Sequence, residues 1–201
     1  IDVIEKGNVM LKFGFSNDSK ASVKIIPQEG SILVAANEVF ALRSLFDTYK
    51  SLKPKTNKGN RNPRIKEIRN RIKIAENTIA SCGNPEDFAS PILNLLSTAN
   101  DEFSKQRLLI LARKLSKYWD DGACQRMGEI AYHCLAADIC GFGVSGEKVT
   151  TSTYAILAIG SSRNKELCKR LVDLCDLKRY VSPLIYAFAK ARVNTEWIYN
   201  F

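Results

Sequence analysis

Histidine is almost missing from this chain: His133 is the only one in 201 residues. Catalysis by a Cys–His or Ser–His pair would hang on that residue alone. The neighbouring candidates Cys134 and Asp138 do not help, because Asp138 lies five positions along a presumed helix and so off the face of His133. Six cysteines are present (Cys82, Cys124, Cys134, Cys140, Cys168 and Cys175), but no Cys-x-x-Cys pair occurs. With one histidine, the short ligand spacings of zinc sites are absent as well. The cysteines fall on apolar helical spacings and read as small buried residues of a reducing, intracellular compartment, the cytoplasm foremost. No apolar run reaches the 18 or so residues of a membrane span. The first residues, interrupted by Asp2, Glu5 and Lys6, do not follow the signal-peptide pattern. No metal, cofactor or membrane is therefore expected.

Acidic residues are scarce in one place. From Lys50 to Lys73 there are ten bases and one acid, Glu67, a local charge of +9. The formal charge of the whole chain is also +9, so the other 177 residues balance at twenty bases and twenty acids. A neutral body with one basic segment has a directed electrostatic footprint, and nucleic acid is its commonest polyanionic partner.

At 45% hydrophobic and 25% charged, the chain has the composition of a packed protein rather than a disordered tail. The expected class is mainly α, a multi-helix domain spanning residues 1–201 with an N-terminal β-hairpin. The hairpin is expected over 8–26, where Val9, Leu11, Phe13 and Phe15 alternate with other residues, a polar turn follows, and Ala21, Val23 and Ile25 alternate again. A helical core is expected over 36–193. Its first helix runs from Ala36 to Leu52, and a basic loop follows over 53–62. The next helix starts at Pro63 with Asn62 as its cap and carries Ile65, Ile68, Ile72, Ala75 and Ile79 as its inner stripe. Asn84-Pro85-Glu86-Asp87 marks another helix start. Further helices are expected at 86–99, 102–118, 123–140, 147–159, 164–176 and 183–193, the last preceded by a break at Val181-Ser182-Pro183. The tail 194–201, with Trp197, Ile198, Tyr199 and Phe201, is expected to dock on its own core or on a neighbouring molecule.

The basic segment is the leading site. Lys50, Lys53, Lys55, Lys58, Arg61, Arg64, Lys66, Arg69, Arg71 and Lys73 are expected to hold phosphates, as bases that neutralise backbone charge and release counterions. Helical spacing puts Lys66, Arg69 and Lys73 on one flank of the isoleucine stripe and Arg64 and Arg71 on the other. Lys105, Arg107, Arg113, Lys114 and Lys117 on one helix could extend the groove. So could Arg163, Lys165, Lys169, Arg170, Lys178 and Arg179, with Tyr118, Tyr180 and Tyr186 available to stack on bases. The competing account of any charge run is a solvated helix face.

Gly141-Phe142-Gly143-Val144-Ser145-Gly146 matches the letters of a dinucleotide-binding loop. It follows a helical stretch rather than a strand, so it reads as a helix end and a turn. Asp120-Asp121 and Asp101-Glu102 read as helix-boundary acids rather than a catalytic pair.

No family motif is met residue by residue. The layout as a whole resembles that of small nucleoproteins and coat proteins of RNA viruses, with a helical core, basic groove residues and terminal arms. The resemblance implies a non-enzymatic protein that packages RNA and self-associates through its hairpin, its aromatic tail or both. The alternative is a helical interaction module whose basic segment docks an acidic protein.

Overall fold

The computed structural model describes residues 3–6, 9–15, 21–27, 32–52, 63–140, 151–175 and 177–193, with side chains from Val34 onward except 138–140 and 177–179. The N-terminal strands β1 (Val3–Lys6), β2 (Val9–Phe15) and β3 (Ala21–Pro27) pair antiparallel in the order β1-β2-β3. Val3 lies opposite Lys12, and Phe13 opposite Val23. The apolar face expected of the 8–26 hairpin lies outside the described side chains. The basic loop 53–62, the glycine loop 141–146 and the tail 194–201 are outside the described residues too.

The protein is mainly helical. Among the described residues α1 covers Ile32–Leu52, α2 Pro63–Ala80, α3 Ala89–Thr98 and α4 Glu102–Leu115. They are followed by α5 (Asp121–Cys140), α6 (Thr151–Ser161), α7 (Lys165–Leu174) and α8 (Leu177–Ala191). Buried side chains from all eight join one hydrophobic cluster. Side-chain caps account for several starts. Asp101 Oδ1 accepts from Ser104 N–H at 2.9 Å, Asp120 Oδ1 from Ala123 N–H at 2.6 Å, and Asn164 Oδ1 from Leu167 N–H at 3.1 Å. Each satisfies one of the orphan donors of a first turn.

Several boundaries differ from the sequence expectation, α4 ending at Leu115 rather than at 118 among them. Helix α1 begins four residues before Ala36. Asn84 caps nothing: its side chain makes no capping bond, and Pro85–Phe88 forms a 3-10 turn before α3 begins at Ala89. That turn is tied to the core instead, with Phe88 buried and Trp119 Nε1 donating to the Pro85 carbonyl at 3.1 Å. The break expected at Val181–Pro183 falls at Tyr180, whose φ of −114° and ψ of 20° kink α8. Pro183 then sits in the first turn of the distal half, where its missing N–H interrupts no helical bond.

At the centre lies α6. Its sequence, TSTYAILAIGS, holds no charged residue, and Ala155, Ile156, Ala158 and Ile159 are fully buried. An uncharged helix with so many fully buried residues belongs inside, and α6 packs against α4, α5, α7 and α8. Small residues set how closely these neighbours approach. A Cβ added to Gly160 would collide with the Ala187 backbone of α8 and lie 2.8 Å from the Ala187 Cβ. One added to Gly128 of α5 would lie 2.6 Å from Ser162 Oγ.

Two arginines take the left-handed backbone conformation, Arg163 after α6 (φ 58°) and Arg192 after α8 (φ 53°). Each follows a helix end: Arg163 N–H donates to the Gly160 carbonyl and Arg192 N–H to the Ala189 carbonyl, both at 3.3 Å. With Val193 N–H donating to the Phe188 carbonyl at 3.0 Å, the α8 end is a Schellman motif. Helices usually place glycine there, since a Cβ in this conformation costs about 1 kcal/mol.

Gly160→Ala is expected to destabilise the protein by about 1–3 kcal/mol, the range for overpacking against backbone that cannot move away. Urea unfolding monitored by circular dichroism measures it. The control is Gly83→Ala, at a turn position with nothing within 4 Å of the added atom; equal midpoints for the two variants would refute the close-contact account.

Buried thiols give a second expected outcome. Cys124, Cys168 and Cys175 are buried, and desolvation pushes Cys168 up to about 12, Cys175 up to about 11, and Cys124 upward. Cys82 and Cys134 are half-buried. Iodoacetamide at pH 8, followed by peptide mapping, should label Cys82 and Cys134 well before the other three, because the thiolate is the reactive form. Rapid labelling of Cys168 in the folded protein would contradict its placement.

Candidate functional site

The charged half of the basic segment is α2. Ile65, Ile68, Ile72 and Ile79 are buried as their spacing requires, while Arg64, Lys66, Arg69, Arg71 and Lys73 are exposed. Ala75 packs partly buried against the core, and Glu76 beside it is buried more deeply. Glu76 is 7% exposed, and both its oxygens accept from Arg107 of α4, one of them from Nε at 2.8 Å. The pair is bidentate, the strongest geometry an arginine and a carboxylate adopt. Hydrogen bonding to Glu76 raises the Arg107 guanidinium above its ordinary value, against a partial burial that lowers it.

This has two consequences for the surface. Arg107, a candidate for extending the groove, is committed to an internal ion pair, because a charge on the stripe of α2 cannot be buried alone. Conversely, one of the two acids of α2 is turned inward and neutralised. The outward faces of the helix carry five bases against the single acid Glu67.

Arg69 is also engaged. Its Nη2 donates to Tyr49 Oη at 2.8 Å, and its guanidinium lies 5.4 Å from the Tyr49 ring centroid and 5.9 Å from that of Phe103. Those two rings stack at 4.0 Å. Arg69 therefore ties α1, α2 and α4 together, a role its place in a charge run does not announce. Lys50 donates to Asn100 Oδ1 at 2.8 Å. Lys53, Lys55, Lys58 and Arg61 lie outside the described residues.

The remaining candidates divide into two neighbourhoods and some scattered positions. Lys105 is half-buried on α4, and Lys114 and Lys165 are exposed. Lys169 pairs with Glu166 at 2.8 Å, and Arg170 lies over the Tyr132 ring of α5 at 4.5 Å. Arg113, Lys117 and Arg163 instead meet at one open cleft of about 210 Å³ where α4, α6 and α8 end. Lys190 and Tyr186 of α8 join them there, with Ser116, Gly160 and Ser161 completing the lining. Tyr118 is half exposed beside this region, with Lys117 Nζ 4.4 Å from its ring centroid. Tyr180, named with Tyr118 and Tyr186 as a stacking residue, is buried at the kink of α8 and cannot serve. Sequence reasoning missed Lys190 because nothing in its local pattern sets it apart from any last-turn lysine.

His133 is exposed on α5, with the Tyr132 ring 6.4 Å away and edge-on. Among the described residues no three His, Cys, Asp or Glu side chains are grouped to hold a metal ion. No helix among them is long and apolar enough to cross a membrane. Compared with protein-family models, curated proteins and solved structures, the chain matches none.

Glu76→Gln should leave the half-buried Arg107 without its charge partner and cost about 1–3 kcal/mol, below the range for a fully buried pair because Arg107 still reaches solvent. Glu67→Gln, at an exposed position, should stay within about 0.5 kcal/mol of the parent. Urea midpoints of the two variants measure both, and equal midpoints would show that the pair holds nothing together.

Proposed function

We propose that this protein binds single-stranded RNA without enzymatic chemistry, sheathing it through phosphate contacts made by the basic segment. The observation that carries the reading is the one-signed surface of α2, with five outward bases and one outward acid after Glu76 is drawn inside. Phosphate neutralisation needs cationic side chains on a firm support more than any sequence-reading geometry. Helix α2 supplies that support by anchoring four isoleucines in the core. The basic residues of 53–62 adjoin it in sequence and would add to the same field. Self-association through the N-terminal segment and the aromatic tail belongs to this reading, as sheathing requires neighbouring copies along the strand.

The test replaces bases that have no part in core packing. Arg69 is avoided because its guanidinium bonds Tyr49. The variant is Lys66→Glu, Arg71→Glu, Lys73→Glu, read by fluorescence anisotropy with a labelled 30-mer of single-stranded RNA over a salt series. Affinity should fall more than tenfold at 100 mM salt, and the log–log salt slope should shrink by about 2, at about 0.7 per lost phosphate contact. The helical circular dichroism should be unchanged. RNA affinity equal to that of the parent would sink the proposal. One-to-one capture of an acidic protein, with no RNA binding at low salt, would replace it.

A further inference from the structure

Three helices end at the cleft described above, and all bring positive charge to it. Arg113 and Lys117 come from the end of α4, Arg163 from the turn after α6, and Lys190 from the last turn of α8. No Asp or Glu is among its lining residues. Cations at helix C-termini are ordinarily accounted for by the macrodipole, which leaves about half a negative charge at each such end. Magnitude argues against that account here. Three ends supply roughly −1.5 charges, and four full cations exceed them by roughly 2.5. The two serine hydroxyls do not absorb the excess, since Ser116 Oγ donates to the Arg113 carbonyl at 2.9 Å and Ser161 Oγ to the Leu157 carbonyl at 3.0 Å. A concave site with surplus positive charge has an anion as its natural occupant.

One further feature narrows the ligand. Tyr186 is 38% exposed at the cleft, with Arg113 Cζ 5.9 Å and Lys190 Nζ 5.8 Å from its ring centroid. An aromatic face flanked by cations is the arrangement that takes a base beside its phosphate.

We infer that this cleft seats a phosphodiester of single-stranded nucleic acid, with the adjoining base against Tyr186. The inference rests on the RNA-binding reading and adds to it a contact point built from residues outside the basic segment.

The backbone supplies a fold-safe test. Arg163→Gly removes one lining cation at a position where glycine is the favoured residue, and Arg192→Gly does the same after α8 at a position that does not line the cleft. Neither should lower the thermal midpoint. Arg163→Gly should weaken binding of the labelled RNA 30-mer at least fivefold and reduce the salt slope by about 0.7, whereas Arg192→Gly should stay within twofold. In parallel, adenosine monophosphate titrated into the ¹⁵N-labelled parent should shift the amides of Arg113, Lys117, Arg163 and Lys190, and should fail to do so in Arg163→Gly. Equal losses in the two glycine variants, or none in Arg163→Gly, would overturn the cleft assignment and leave the α2 reading standing. Shifts with the nucleotide but no RNA binding by the parent would overturn the nucleic-acid source for both sites and reassign the cleft to free nucleotides.

Discussion

The arrangement depends on one uncharged helix that four others surround. Helix α6 carries no charged residue to face water, so α4, α5, α7 and α8 cover it. The helices can do so at short range only because Gly160 meets Ala187 and Gly128 meets Ser162 without a side chain between them. Dispersion and apolar burial are the driving terms, and both fall away steeply with separation. The same close approach brings the ends of α4, α6 and α8 together, and so the cleft is a by-product of how the core is packed.

Electrostatics is layered over that core in two ways. The body of the chain is charge-neutral, and its ion pairs help hold it, as Arg107 and Glu76 do between α4 and α2. The basic segment is different in kind. Its helical half fixes its isoleucines inward and presents cations outward, with only Glu67 to moderate them. Arg69 belongs to both layers, being part of the charge run and also the hydrogen-bond donor to Tyr49 that joins three helices. Electrostatic reach in such a protein is long compared with a hydrogen bond and short compared with the molecule, about 8 Å at physiological salt. The charges of α2 and those of the cleft come from different helices.

Much of the helical order was legible in the residues. Periodicity placed α2 through its isoleucines, and Asp101-Glu102 and Asp120-Asp121 were legible as helix-boundary acids, whereas the cap made by Asn164 was not anticipated. The errors arose where a tertiary partner decided the outcome. Asn84 looked like a cap, but the turn after it is held by Trp119, 34 residues away in the chain. Ala75 packs on the core as its spacing suggests, but Glu76 beside it is buried too because Arg107 awaits it on α4. At the C-terminal side Pro183 marked a break correctly in kind, and the kink fell at Tyr180 because proline is at ease within the first turn of a helix.

What the sequence determined alone is the set of properties that depend on neighbours a few residues apart: a mainly helical chain, the isoleucine stripe of α2, acids at helix boundaries, and a concentration of positive charge between Lys50 and Lys73. What only the tertiary structure decided is which charges remain on the surface and which converge. Arg107 and Arg113 stand six residues apart on one helix and read alike as basic residues. One is drawn to Glu76 and the other faces the cleft with Arg163 and Lys190. Nothing within a turn of either arginine distinguishes them, because the partners that assign their roles are brought near only when apolar burial closes the helices around α6.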